Sequence, residues 1–327
     1  MEKNMQDIHI TNRFIQGLNY SDVFLVPNKT IVDTRKQCDT SVKFGNRTFS
    51  MPIIPANMAS VVNEGTCKFL AKQGFFYIMH RFNINVVQFM ESMQKENLFT
   101  SISIGVNEDT YRDLTYLKDL KWSPDYMTLD VANGWCYKAE RMIKFVKDNF
   151  PTTFLIVGNM ATPDAVAEIE YWGADAIKVG IAGGAVCTTK NKTGFHVPMV
   201  NTVLECVQVA KTPVIADGGV LEHGDIAKAI ACGATMVMAG KLFAGFDESA
   251  GEVTETNGKL VKEYYGSASQ YNKGEYKNVE GKKILVDYKG SMQKLLNELK
   301  EDLQSSISYA GGKDLSALLK CKFIDIK

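Results

Sequence analysis

The sequence predicts an α/β protein of the (β/α)8 barrel class (a TIM barrel), and three observations carry that reading. Eight short, nearly all-apolar runs recur along the 327 residues, as strands covered on both faces do. Amphipathic helical patterns lie between them. The C-terminal ends of the runs converge on polar residues and glycines, where a barrel places its ligand site. An open doubly wound sheet would share the alternation, but no GxGxxG follows the first run.

The runs are Met51–Ala56, Gly74–Met79, Ser101–Val106, Tyr126–Val131, Thr153–Gly158, Ala176–Gly180, Pro213–Gly218 and Met236–Gly240. The clearest helix between them is "ATPDAVAEIEYWGAD". There Thr162 is placed to cap, Pro163 suits the first helical position and Gly173 suits the C-terminus. "HGDIAKAIACGAT" repeats the design with Gly233 as the stop. Starts of the runs are mostly 22 to 27 residues apart, but 37 separate Ala176 from Pro213, so the longest connection follows the sixth run. Long loops in compact domains are usually functional.

Two segments extend the barrel. "TSVKFGNRTFSM" reads as an N-terminal hairpin able to plug the barrel bottom. After the eighth run, Asn257-Gly258 is a hairpin turn. It leads into a polar, lysine-rich C-terminal flap segment, read equally well as a mobile cover over the barrel mouth or as a solvated hairpin. Residues 1–327 read as one catalytic barrel domain.

Composition removes several functions. Lys+Arg and Asp+Glu both number 37, so no global field draws nucleic acid or an anionic membrane, and an anionic ligand needs a local site. Seven cysteines without a CxxC pair, with four histidines, argue against a disulfide framework and a zinc cluster. No apolar leader or membrane-length run is present, which makes the cytoplasm the expected compartment.

The long connection carries "GIAGGAVCTTKNKTG", Gly180–Gly194. Its glycines can expose amides to an anion, and Lys190 and Lys192 add positive charge, conditions under which Cys187 can react as a thiolate. The other six cysteines sit in apolar or helical settings and read as structural. Gly218, Gly219, Gly240 and Lys241 follow the seventh and eighth runs, where barrels often bind phosphate, although tight turns also demand glycine. Asp217 suits either a ribose diol or a turn cap. Asp130 is placed to face a second ligand. His80 and His196 read as structural histidines or as positioned imidazoles. Together the pieces suggest covalent catalysis on a nucleotide-like phosphate ester.

"VGIAGGAVCTTKNKTG", "IADGG", "YYGSAS" and "VEGK", in that order, resemble the purine-nucleotide barrel family of IMP dehydrogenase and GMP reductase, from "YSDVFLVPNKT" to "SSISYAGGKDL". "EGKK", "GSAS" and "DLQSSISYAGGKDL" are similar to its bacterial reductase branch. A dehydrogenase resembling this family would carry an inserted regulatory domain after the second strand. It would also have a longer flap that activates water. Here about twenty residues separate His80 from Ser101, and eight separate "GSAS" from "NVEGK". An IMP dehydrogenase without the regulatory domain, or a non-catalytic nucleotide-binding barrel, are the alternatives.

The resemblance implies reductive deamination of GMP to IMP and ammonia with NADPH, through attack of Cys187 on purine C2. It implies that Thr189 and Glu280 help protonate the departing amine. It assigns Asp217 to the ribose, and Gly218, Gly219, Gly240 and Lys241 to the phosphate. Gly266, Ser267, Ala268 and the segment from Lys277 to Gly281 match base contacts. Arg81, Asp130, Val131, Ala132, Ile181 and Ala182 match dinucleotide positions. Thr34, Arg35, Ser305, Ser306, Ile307 and Ser308 match positions near the cofactor, some supplied by a neighbouring subunit of a homotetramer. A monovalent cation, usually potassium, would bind at Ala182, Gly184, Cys187 and Lys190. Departures are "GIAGGA" where "GIGPGS" or "GIGPGR" is common, and Lys241 where glycine or serine is common. Ala185 therefore lacks a phosphate-holding side chain, for which Lys241 would compensate.

Overall fold

The computed structural model describes residues 16–273 and 279–327. In chain order the strands and helices begin with β1 (Val23–Leu25), β2 (Val42–Phe44), β3 (Arg47–Phe49), β4 (Ile53–Pro55), α1 (Glu64–Lys72), α2 (Val86–Lys95) and β5 (Ser101–Ile104). There follow α3 (Glu108–Asp119), β6 (Tyr126–Asp130), α4 (Tyr137–Asn149), β7 (Phe154–Met160), α5 (Pro163–Trp172), β8 (Ala176–Val179), α6 (Thr189–Thr193) and α7 (Met199–Val209). The chain continues through β9 (Val214–Asp217), α8 (Gly224–Ala231), β10 (Met236–Ala239), β11 (Thr254–Thr256), β12 (Lys259–Tyr265) and α9 (Gln270–Lys273). It ends with β13 (Lys283–Asp287), α10 (Met292–Tyr309) and β14 (Phe323–Asp325).

Parallel pairing orders seven strands as β4-β10-β9-β8-β7-β6-β5, a sheet curled into a barrel-like wall. Helices α4, α5, α7 and α8 pack on its outer face against β7, β8, β9 and β10. Both faces are thereby covered, which is why the strands are apolar throughout. The expected second strand, Gly74–Met79, is a correction. It is buried but makes no ladder; only Met79 bridges to Ile102. Its bulky rings are committed elsewhere: Phe76 packs edge-on to Phe44 and Phe49, and Tyr77 against Phe99. At the expected helix "PDAVAEIEYW", Pro163 opens α5 and Gly173 closes it in the left-handed region, but Thr162 makes no side-chain cap hydrogen bond.

The β2–β3 hairpin forms as expected. It seals the N-terminal end of the barrel with Phe44, whose ring lies 5.2 Å from Phe76, 6.2 Å from Tyr126 and 5.1 Å from Phe154. The contacts with Phe76 and Phe154 are edge-to-face and that with Tyr126 is stacked, arrangements that suit the ring quadrupoles. The Tyr126 hydroxyl donates to the Phe44 carbonyl at 2.9 Å, so the plug is tied as well as packed.

At the opposite end, β11, β12 and β13 form an antiparallel sheet. Its first turn has Asn257 at φ 53° and Gly258 at φ 74°, the pair of positive angles that a two-residue hairpin demands. Lys262, only 3% exposed, fastens this sheet to the barrel by donating to the carbonyls of Phe246 (2.6 Å) and Ser249 (2.8 Å). Ser60 adds a second tie, donating to the Tyr265 carbonyl and accepting from the Tyr265 N–H.

Phe44→Ala should cost about 3–5 kcal/mol in urea denaturation, the usual cost of emptying a buried aromatic site. A loss below about 1 kcal/mol would mean that the hairpin does not contribute to closing the barrel.

Candidate active site

The cysteine loop begins where β8 ends. Gly180 has φ 132°, and a methyl group on it would overlap the Asp217 carbonyl, so only glycine lets the loop lie against the end of β9. The carbonyls that follow are secured one after another. Gly180 accepts from Asn159 Nδ2 (2.7 Å), Ile181 from His196 Nδ1 (2.7 Å), Gly183 from the Gly219 N–H (3.0 Å) and Gly184 from the Cys187 N–H (3.1 Å). Between them Ala182, a non-glycine residue, sits at φ 61°.

Residues 186–188 then pair with residues 280–282, just before β13, so the segment after the eighth run folds over the cysteine loop as a cover. Cys187 bridges antiparallel to Gly281, the Thr188 N–H donates to the Glu280 carbonyl (2.9 Å), and the Lys282 N–H donates to Val186 (2.9 Å). Gly281 also bridges to Ser269, and the Glu280 N–H donates to Ala268 (2.9 Å). Three segments remote in sequence thus form one small backbone patch. On it, Cys187 Sγ lies 3.2 Å from Thr189 Oγ1, which donates to Glu280 Oε2 at 2.6 Å. A thiol, a hydroxyl and a carboxylate are in line, a geometry that can pass a proton between the sulfur's surroundings and the carboxylate.

Cys187 lines two cavities. One, of about 360 Å³, is walled by Arg81, Asp130, Lys178, Asp217 and Ala268 among others. Val131, Ala132, Ile181, Ala182 and Ser267 also line it. The other, of about 900 Å³, shares Gly183, Gly184 and Cys187 with the first and is walled by Ala185, Lys190, His196, Gly219 and Lys282 among others. Gly240 abuts Tyr264, and Gly266 packs on Gly281. Lys241 is exposed in the turn after β10. Thr34, Arg35 and Ser305–Ser308 form a separate cluster, with Arg35 Nη1 donating to Ser305 Oγ at 2.7 Å, and line neither cavity around Cys187. Lys277 lies outside the described residues.

Sequence reasoning missed Lys178. Its side chain, 2% exposed, contacts Asp217 Oδ2 at 2.5 Å, Asn159 Oδ1 at 2.6 Å and Asp130 Oδ1 at 3.1 Å. Burial works against its charge, but Asp217 and Asp130 outweigh it and hold the ammonium well above the usual lysine range. The signal was available: a lysine inside the otherwise apolar run "AIKVG". His80 resolves as structural. Its Nδ1 accepts from the Phe82 N–H at 3.2 Å, and burial pushes its pKa down to about 4. Burial likewise raises the thiols of Cys38, Cys67 and Cys321, and pushes Cys206 and Cys232 up to about 12. Cys136 is the half-buried residue that opens α4.

A dinucleotide fits the smaller cavity chemically. The Arg81 guanidinium stacks 4.8 Å from the Phe82 ring centroid, and both line the cavity with Met58 and Ala132, an apolar and cationic wall for a planar, anionic ligand. A monovalent cation also fits the loop. Backbone carbonyls are its usual ligands, and Thr188 Oγ1 is buried here without a hydrogen-bond partner among the described residues. No cluster of three His, Cys, Asp or Glu side chains suits a metal among the described residues.

The fold and the loop define a class: barrel proteins in which β8, the fifth of the seven sheet strands in chain order, delivers a cysteine to the ring of strand ends. A family model described as IMP dehydrogenase / GMP reductase domain matches residues 17–327. Curated relatives named GMP reductase include one from Chromobacterium violaceum, 65% identical over 94% of this chain and 98% of its own. Others come from Oceanobacillus iheyensis (51%; 94% and 95%) and Lactococcus lactis subsp. cremoris strain SK11 (50%; 97% of each). The chain belongs to the IMP dehydrogenase/GMP reductase family.

Two measurements test the site's electrostatics. Lys178→Met leaves Asp130 and Asp217 facing each other without their cation, and should cost about 3–5 kcal/mol in denaturant unfolding at pH 7. A cost below about 1 kcal/mol would show the carboxylates to be compensated elsewhere. For His80, the folded value lies below the unfolded one, so the unfolded chain binds more protons between them. Its contribution is whole above about pH 6.5 and shrinks as pH falls toward 4. His80→Asn should therefore reduce the stability lost between pH 7 and 4.5 by roughly 2–3 kcal/mol. Identical pH slopes for the two proteins would assign that loss to other groups.

Proposed function

We propose that this chain is an NADPH-dependent oxidoreductase that converts GMP to IMP with release of ammonia. The observation that carries the reading is the line from Cys187 Sγ through Thr189 Oγ1 to Glu280 Oε2 beside a cavity floored by Lys178 and Asp217. A nucleophile that must expel an amine needs a proton source at the same carbon, and this arrangement puts both in one place.

Cys187 attacks purine C2 as the thiolate, and the S–C2 bond forms. Thr189 and Glu280 deliver a proton to the amine, the C2–N bond breaks, and ammonia leaves a thioimidate joined to the protein. NADPH, held along Arg81, Asp130 and Ala132, would supply the hydride that C2 accepts. The S–C2 bond then breaks, returning the thiolate and releasing IMP. Asp217 would hold the ribose diol through Oδ1, its carboxylate oriented by Lys178 and Asn159, which both donate to Oδ2. Gly266, Ser267, Ala268, Lys277 and Gly281 would surround the base.

Gly218, Gly219, Gly240 and Lys241 would bind the phosphate. Lys241 does not stand alone there: desolvation, and then the positive charge of Lys241, hold the Lys289 ammonium below the usual lysine range. Two lysines that repel each other favour an anion between them, which supports compensation for the missing side chain at Ala185.

Arg81, Asp130, Val131, Ala132, Ile181 and Ala182 would hold the nicotinamide half of NADPH. Thr34, Arg35 and Ser305–Ser308, remote from Cys187 in their own chain, would meet the dinucleotide of a neighbouring subunit in a homotetramer. Potassium would bind the carbonyls of Ala182, Gly184, Cys187 and Lys190. The catalytic unit is read as one domain without a regulatory insertion, acting in the cytoplasm. No described helix is long and apolar enough to cross a membrane.

Purified protein with GMP and NADPH in potassium buffer should yield IMP and ammonia in equal amounts as the nicotinamide absorbance falls. Cys187→Ala should abolish turnover and keep GMP binding within about threefold, while Glu280→Gln lowers kcat by about 10²–10⁴. Formation of XMP from IMP and NAD, without the reductive reaction, would overturn the assignment.

A further inference from the structure

We propose that His196 is a positioning residue for the cysteine loop. Its imidazole N–H holds the Ile181 carbonyl and so keeps the left-handed turn at Ala182 from which Cys187 is presented. The inference deepens the proposed function, since it rests on Cys187 being the nucleophile.

His196 Nδ1 lies 2.7 Å from the Ile181 oxygen, with the ring partly buried. A carbonyl has lone pairs and no proton to give, so Nδ1 carries the hydrogen. The atom it holds belongs to the peptide plane joining Ile181 to Ala182. The N–Cα bond of Ala182 lies in that plane, and φ is the rotation about it. Fixing the carbonyl therefore fixes the reference from which the unusual φ of 61° is set.

Such an angle costs a residue with a Cβ of order 1–3 kcal/mol, and it persists only where the surroundings over-determine it. The surroundings here do so from both sides. Asn159 holds Gly180, and the Gly219 N–H holds Gly183. Those two donors belong to the ends of the barrel strands or the turns after them. The donor to Ile181 instead comes from the far end of the loop itself, 15 residues on. There the chain leaves α6 through Gly194, at φ 79°, and turns back along the larger cavity. His196 thus closes the connection on itself like a clasp, with Cys187 inside the closed segment. It lines the larger cavity, which Cys187 and Gly219 also line, and not the smaller one. The Michaelis constant for GMP therefore separates an effect through the backbone from direct contact with the substrate.

The test compares three variants. His196→Phe keeps a planar ring and removes the donor, His196→Asn keeps a side-chain N–H, and His196→Phe combined with Ala182→Gly removes the donor and the strain together. Hydrogen exchange across residues 181–188 reads the loop whether or not the protein turns over GMP. Steady-state kinetics reads the reaction.

His196→Phe should speed that exchange and lower kcat by roughly tenfold or more, the usual cost of a nucleophile displaced by a fraction of an ångström, with the GMP Michaelis constant within about twofold. The asparagine variant should restore part of both. Glycine at 182 should restore most of both, because the turn then needs no clasp. Native exchange and native kcat in His196→Phe would overturn the proposal. So would a loss that glycine at 182 leaves untouched, which would make His196 a packing residue only. Altered exchange in a protein with no GMP turnover would keep the clasp and remove the proposed function.

Discussion

The rest of the site depends on a short stretch of backbone pairing, Val186–Thr188 against Glu280–Lys282. Side chains do not bring Thr189 to Glu280 across 91 residues; the ladder does, and the 2.6 Å hydrogen bond follows from it. Peptide groups buried at the barrel mouth must find partners. The cysteine loop and the cover, neither of which has a continuous strand of its own there, find them in each other. The same pairing places the Gly281 backbone close to Ser269 and Gly266, so the segments assigned to the purine are held in mutual register.

Beneath that patch lies the second constraint, the ammonium of Lys178. A lysine at 2% exposure is tolerated only with partners, and its partners are the carboxylates on two other strand ends, Asp130 of β6 and Asp217 of β9. One buried cation therefore joins the carboxylate assigned to the ribose to the one assigned to the dinucleotide. Neither acid can move without exposing the charge of the other, which makes the floor of the cavity stiff before any ligand arrives.

The barrel was legible because its periodic apolar runs have no soluble alternative to burial. Seven of the eight became strands of one sheet. The miss at Gly74–Met79 is physical: Phe76 and Tyr77 commit their rings to the aromatic cluster of Phe44, Phe49 and Phe99, a tertiary demand that an apolar run does not display. Cys187, Thr189 and Glu280 were named from motifs, and the structure brings them together. Lys178 and the role of His196 were less visible. Each acts through partners that sequence spacing does not reveal, two carboxylates 48 and 39 residues away in one case and a backbone carbonyl in the other.

Placement of Glu280 also explains why a short cover suffices. The residue lies three positions before β13, whose five-residue ladder with β12 runs from Lys283 to Asp287. β12 is in turn bolted to the barrel by Lys262 and Ser60. A carboxylate at the end of an anchored sheet needs no long flap to carry it to the cysteine, because the sheet fixes its position as it forms. In the proposed reaction a covalent intermediate resolved by hydride needs no activated water. A proton donor held in one place would then be all that reaction asks of this segment, and a fixed mount serves that need better than a mobile one.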